Sequence, residues 1–220
     1  MRRAIIVGGT GGLGSSVVHE LKDEYLFDDL WLSKDRPDVM DPNGYEHVEK
    51  NLDLAIYFAG INITKPIEEI SKEELNEIFS VNILGAFNFV QCLKNKLNGS
   101  YNPTFIFTSS IMVNHPYPNR TAYASSKAAI EGLSNALSVE LGESGISSIC
   151  LRLGHLNSLM KSTVTNPELL DAVKKNTPQS NLIDSKRIGS IIRNIHDCST
   201  MFNGSVIDLD GAYTKNRWPL

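Results

Sequence analysis

The most constraining stretch of the chain comes at its start. Ala4-Ile5-Ile6-Val7 runs without a break into Gly8-Gly9-Thr10-Gly11-Gly12-Leu13-Gly14. Four successive apolar residues with no alternation read as a strand buried on both faces. The glycines punctuate it, and a helical pattern follows from Ser15 to Lys22. The same order then recurs. Leu30-Trp31-Leu32 reads as a second strand, and Leu54 to Phe58 as a third, ending at Ala59-Gly60. Ser71 and Glu74 have the spacing of a capping box and open a long helix to about Leu97. Strands at Thr104–Thr108, Ser147–Leu151 and Ser205–Leu209 alternate with helices at Tyr123–Leu141 and 184–196. Apolar strands alternating with helices call for a parallel sheet covered on both faces.

A chain of 220 residues fits one domain, here residues 1–220. No linker or repeat interrupts it. The stretch 159–180 is the least regular and is expected to sit within a flexible substrate loop at about 155–180. Between Leu32 and Leu54 the chain is too short for a full crossover helix. That side of the sheet is expected to be bare or covered by a partner subunit. A net charge of −4 offers no electrostatic reason for a nucleic-acid or anionic-membrane partner. No run of about 18 apolar residues suggests a membrane span, and the glycines arrive too early for a signal peptide. The three cysteines form no CxxC pair, which points to a reduced, cytoplasmic setting.

The glycines permit tight turns and close approach of backbone to a ligand. The helix behind them presents unpaired N–H groups and a positive dipole end, which suits a pyrophosphate. Both Gly8-xxx-Gly12-x-Gly14 and Gly8-xx-Gly11-xx-Gly14 can be read here. Beyond the second strand stands Ser33-Lys34-Asp35. Lys34 would suit a ribose 2′-phosphate and Asp35 a free 2′-hydroxyl. The reading leans to NADP, with NAD as the alternative.

Tyr123 and Lys127 lie about one helical turn apart and so share a face, with only Ala124, Ser125 and Ser126 between them. A phenol ordinarily ionises near pH 10 and is a poor base at neutral pH. A nearby ammonium favours the phenolate and makes such a group a usable general acid or base. Ser110 ends the strand that precedes this helix, where hydroxyls point into the crevice of open α/β sheets. Ser109 is its neighbour, and strand alternation lets only one of the two face the site. His115 and His155 are candidates to face a substrate, whereas His19, His47 and His196 read as surface residues. Phe79, Phe87 and Phe89 on the long helix read as core or subunit packing. No metal-ligand spacing is present.

On these residues the chain resembles the single-domain branch of the short-chain dehydrogenase/reductase family. Gly8-xxx-Gly12-x-Gly14 resembles the family's cofactor loop, with Val7 where a Thr is usual. Asp38-Val39 resembles the dipeptide that contacts adenine, and Val81-Asn82-Ile83-Leu84-Gly85 the segment whose Asn joins the catalytic set. Tyr57-Phe58-Ala59-Gly60 stands in place of Asn-Asn-Ala-Gly, so two asparagines are lost. Leu153-Gly154, then Ser158, stands in place of Pro-Gly and Thr, and Gly204 to Gly211 resembles the C-terminal tail.

The resemblance implies a Rossmann-type, doubly wound α/β sheet of about seven strands. It implies hydride transfer between NADP or NAD and a small carbonyl or alcohol. Ser110 would orient the substrate oxygen, Tyr123 exchange its proton, Lys127 hold the ribose, and Asn82 position a relaying water. Gly8, Thr10, Gly12, Leu13, Gly14, Lys34, Asp38, Val39, Ala59, Gly60, Gly154, Leu156 and Ser158, with Tyr123 and Lys127, would line the cofactor. On the same resemblance, Met112, Tyr117 and Met160 fall where a substrate pocket would lie, with core packing the alternative. A homodimer or homotetramer is implied, through the helix bearing Tyr123 and the long helix before it. The alternative is a cofactor-binding or redox-sensing protein of this fold without turnover. The longer branch of the family, with its C-terminal substrate domain, has little room in 220 residues.

Overall fold

The computed structural model describes residues 1–31, 39–99, 101–157 and 167–216. Strands β1 (Arg2–Val7), β2 (Tyr25–Trp31), β3 (Leu54–Tyr57), β4 (Thr104–Ser110), β5 (Ser147–Leu153) and β6 (Val206–Leu209) form one sheet. All pair in parallel, in the order β2-β1-β3-β4-β5-β6. The sheet is thus the expected doubly wound one, with six strands among the described residues rather than about seven. The reason lies after β2. Among the described residues between Trp31 and Leu54 the only element is a 3-10 turn, Pro42–Tyr45.

Each apolar strand feeds both layers by alternation. Ala4, Ile6, Ile56, Ile106 and Leu151 pack with Val17 of α1 (Gly12–Leu21) and with Ile192 of a C-terminal helix, Ile188–Asp197. Ile5, Val7, Tyr57, Phe105 and Phe107 face the other way, onto Phe89 and Ile130. Those two residues come from the helices Gly85–Leu93 and Thr121–Glu140.

The long helix read from Ser71 to Leu97 is broken. The capping box is formed, and it opens α2 (Lys72–Phe79). A π turn follows at Ser80–Leu84, and α3 (Gly85–Leu93) continues the run. Tyr57 explains the interruption. Its buried hydroxyl donates to Val81 O at 2.6 Å. A side chain at Gly85 would strike that hydroxyl and a methyl of Val39.

The second strand begins at Tyr25, earlier than Leu30-Trp31-Leu32, because pairing with β1 overrides the unfavourable Asp28-Asp29 pair. Tyr25 and Phe27 turn into the α1 layer, while Leu26 is half exposed on the other face. Tyr45, Val48 and Leu52 fill the layer beside it, with the Tyr45 and Phe89 rings 5.9 Å apart. The remaining helices are α4 (Thr121–Glu140), α5 (Pro167–Asn176), α6 (Ile188–Asp197) and the short α7 (Ser199–Phe202). Helix α5 occupies part of the stretch read as irregular.

His196, read as a surface residue, is fully buried on α6. Its Nε2 lies 3.0 Å from Asn102 O, and a carbonyl only accepts, so Nε2 carries the proton. Nδ1 then accepts from the Tyr25 hydroxyl at 2.7 Å, and that hydroxyl accepts from Arg2 at 2.9 Å. Burial first, and then the Arg2 charge, lowers the His196 pKa. The folded protein therefore resists a proton that the unfolded chain takes up below about pH 6.5. Stability contributed here is full above that pH and falls as pH drops toward the lower folded value. We expect urea midpoints to decline from pH 7.5 to 5, and the decline to flatten in His196→Gln. An identical pH dependence in that variant would contradict this.

Candidate active site

The glycine loop joins β1 to α1 at the carboxyl end of the sheet. Gly8 has φ +89°, and a Cβ there would lie 2.9 Å from Ala59 N. A Cβ on Gly14 would fall on Gly8 O and 2.6 Å from Gly9 Cα. Gly11 N donates to Gly8 O at 3.1 Å, and no side chain caps α1. Thr10 and Gly12 are exposed, and Leu13 is half-buried. The result is a backbone cradle with helix N–H groups at its mouth, and it fits a dinucleotide pyrophosphate.

Asn82 sits in the π turn and is fully buried. Its Oδ1 accepts from Ile61 N at 2.8 Å. Its Nδ2 donates to Ile61 O at 3.0 Å and to Ser126 Oγ at 2.8 Å. Ser126 Oγ in turn donates to Tyr123 O at 2.8 Å. Asn82 thus ties the Gly60-Ile61 turn after β3 to the N-terminal part of α4. Lys127 is 5% exposed, and its Nζ donates to Thr108 O at 2.9 Å. The same Nζ lies 5.8 Å from the centre of the Tyr123 ring. A Cβ on Gly60 would sit 3.3 Å from both Asn82 Oδ1 and Lys127 Nζ. Asn82, Gly60, Tyr123 and Lys127 therefore lie together in one constellation.

Ser109 and Ser110 are separated as alternation requires. Ser109 Oγ turns behind the strand and donates to Glu131 Oε1 at 2.5 Å. Ser110 points the other way, and its Oγ accepts from Met112 N at 3.2 Å. Its register partner on β5 is Leu153, so Gly154 begins the loop beside it. A Cβ on Gly154 would meet Asp210 Cα at 2.7 Å, which seats this loop against the turn after β6. Leu156 bridges to Ile183. Val39 packs beside Gly85, and its carbonyl accepts from Asn88 Nδ2 at 2.8 Å. Lys34, Asp35, Asp38, Ser158 and Met160 lie outside the described residues.

Loops after β4, β5 and β6 bring His115, Tyr117, His155 and Tyr213 into one aromatic wall. Tyr117 Oη lies 2.9 Å from His155 Nε2 and 2.5 Å from Tyr213 Oη. Burial, and then the Tyr213 bond, raises the Tyr117 pKa. Burial and the nearby His115 and Arg120 lower that of His155. The sequence reading had His115, Tyr117 and His155 but not Tyr213. It also missed the Tyr57–Val81 bond and the partners of Ser109. The one available signal was the placement of Glu131 a turn beyond Lys127.

A sequence model described as short chain dehydrogenase matches residues 43–169, which include Asn82, Ser110, Tyr123 and Lys127. The chain belongs to the short-chain dehydrogenase family. As a member it is an enzyme, an NAD(P)-dependent oxidoreductase. A tropinone reductase homolog of Arabidopsis thaliana is 24% identical, over 98% of this chain and 93% of its own. Carbonyl reductase 2 of Sus scrofa, whose name specifies NADPH, is 26% identical over 96% of each chain. Among solved structures, the ligand-free aldohexose dehydrogenase of Thermoplasma acidophilum superposes with a TM-score of 0.85 at 17% identity, covering 100% of this chain and 96% of its own. A 3-ketoacyl-(acyl-carrier-protein) reductase from Brucella melitensis, complexed with NADH, gives 0.81 at 17% identity, covering 97% and 98%. At such identities these structures establish the fold. Among the described residues no helix is long and apolar enough to cross a membrane.

Proposed function

We propose that this short-chain dehydrogenase interconverts a small carbonyl compound and its alcohol at a site built from Ser110, Tyr123, Lys127 and Asn82. The observation that carries this is the buried Lys127 ammonium, anchored on Thr108 O and held beside the Tyr123 ring. A bound nicotinamide supplies or takes the hydride. Ser110 hydrogen-bonds and orients the substrate oxygen. Tyr123 gives or takes the proton of that oxygen, and the ammonium offsets charge developing on the phenol. Lys127 also holds the cofactor ribose. Both amide hydrogens of Asn82 are spent on Ile61 and Ser126, so its part is to hold the turn and α4 together around Lys127.

Gly8, Thr10, Gly12, Leu13 and Gly14 cradle the pyrophosphate. Ala59, Gly60, Asp38, Val39, Gly154, Leu156 and Ser158 line the remainder of the cofactor, and residues 155–180 border the substrate. Half-exposed Leu84 and Phe87, with Val139 and the open Gly132 on α4, support a homodimer through α3 and α4. The three free thiols suit a reducing, cytoplasmic setting. Purified protein should oxidise NADPH in the presence of one or more members of a panel of small ketones and aldehydes. Binding of NADPH without turnover across the panel would reject the proposal.

NADP is the proposed cofactor, with Lys34 on the 2′-phosphate. In fluorescence titrations NADPH should bind at least about tenfold more tightly than NADH, the worth of one charge-assisted contact. Lys34→Ala should erase that difference. Tighter NADH binding would instead assign the ribose to Asp35.

A further inference from the structure

Directly behind the Ser110 end of β4 lies a cluster of charges that the proposed reaction does not use. Glu131 is on α4, one turn beyond Lys127. Its Oε1 accepts from Ser109 Oγ at 2.5 Å and from Arg152 Nε at 2.9 Å, and its Oε2 accepts from a second Arg152 nitrogen at 2.7 Å. Arg152 also donates to Asp208 Oδ1 at 2.7 Å, and Lys215 Nζ stands 3.5 Å from the other Asp208 oxygen. The Glu131 and Arg152 side chains are only 13% and 12% exposed. Ser109 pairs with Arg152, and Arg152 with Asp208, in the sheet register. One fork of hydrogen bonds thus links three adjacent strands to α4.

Buried ion pairs of this kind are often no more stabilising than apolar residues of the same volume. What they impose is direction, because a bidentate Arg–carboxylate pair tolerates little displacement. Both anchored residues adjoin the proposed site. Ser109 precedes Ser110, and Ser109 Oγ is also 3.3 Å from Lys127 O. A shift of Glu131 along β4 would carry Tyr123 and Lys127 with it, relative to Ser110. A misplacement of about 1 Å between reacting groups can cost about a hundredfold in rate.

We infer that Glu131 and Arg152 are positioning residues, which through Ser109 set the Ser110 hydroxyl against the Tyr123–Lys127 face of α4. This rests on the catalytic reading above. The test uses the full-length protein with NADPH and a substrate taken from the carbonyl panel. Ser109→Ala should lower kcat about 5–20-fold, and Glu131→Leu/Arg152→Met about 30–100-fold. NADPH Kd should stay within about twofold, and Tm should hold to a few degrees. In a Ser110→Ala background Ser109→Ala should add nothing, since the hydroxyl it positions is gone. Wild-type kcat in Ser109→Ala, or effects of Ser109→Ala and Ser110→Ala that multiply, would overturn the inference. Those two outcomes do not depend on the double variant folding. Tyr123→Phe, run in parallel, separates the failures. If it is inactive while Ser109→Ala is unaffected, only the positioning role falls. If it is fully active, the catalytic reading falls.

Discussion

Tyr123→Phe should bind NADPH normally and turn over about a thousandfold more slowly, or worse. The change removes one oxygen and leaves the ring that lies 5.8 Å from Lys127 Nζ. The anchor of Lys127 on Thr108 O and the Ser126 bond to the residue-123 carbonyl involve no part of the phenol, so the local structure survives. What disappears is the group that exchanges a proton with the substrate oxygen. Positioned general acids and bases contribute about 100- to 10,000-fold, and the lost hydroxyl is also the group whose developing charge Lys127 offsets. Steady-state kinetics beside a fluorescence titration would separate the two effects. A variant within about tenfold of wild type would place proton transfer elsewhere. Loss of NADPH binding would mean that the hydroxyl serves the cofactor and not the substrate.

Gly14→Ala should weaken NADPH binding by about a hundredfold or more. The added methyl has nowhere to go, because it would fall on Gly8 O and 2.6 Å from Gly9 Cα, both backbone atoms. Either the loop opens or α1 slides away from it. Overpacking of a close contact costs about 1–3 kcal/mol, and backbone neighbours place this case at the upper end. The loss falls on affinity because the displaced atoms form the cradle itself. Gly142→Ala is the control: there a Cβ would meet only Asn203 Nδ2 at 3.8 Å. Isothermal titration of both variants with NADPH, and of wild type, would measure the difference. Equal affinity in Gly14→Ala would show that the loop does not carry the pyrophosphate.

What was legible in the sequence was what short spacing determines. The strand–glycine–helix start, the capping box at Ser71 and Glu74, and the pairing of Tyr123 with Lys127 across one turn all depend on neighbours within a few residues. Features set by distant partners were not legible. The π turn around Asn82 depends on Tyr57, more than twenty residues earlier. His196 is buried because Tyr25 and Asn102 receive it from other elements. Strand β2 begins at Tyr25 through pairing with β1, which no local pattern around Asp28-Asp29 discloses. Alternation showed that Ser109 and Ser110 must part, but only Glu131 and Arg152 show which face holds Ser109. Helix α5 is different: Pro167 at its first position, followed by Glu168, is a start signal present in the sequence.

The most direct test of the whole account follows the hydrogen itself. The protein would be incubated with a reactive carbonyl and NADPH deuterated at nicotinamide C4, using each stereoisomer in turn, and the alcohol examined by mass spectrometry. The account predicts deuterium on the former carbonyl carbon from one stereoisomer only, and transfer abolished in Tyr123→Phe while NADPH remains bound. Alcohol formed without the label from either stereoisomer, or label transfer undiminished in Tyr123→Phe, would contradict it.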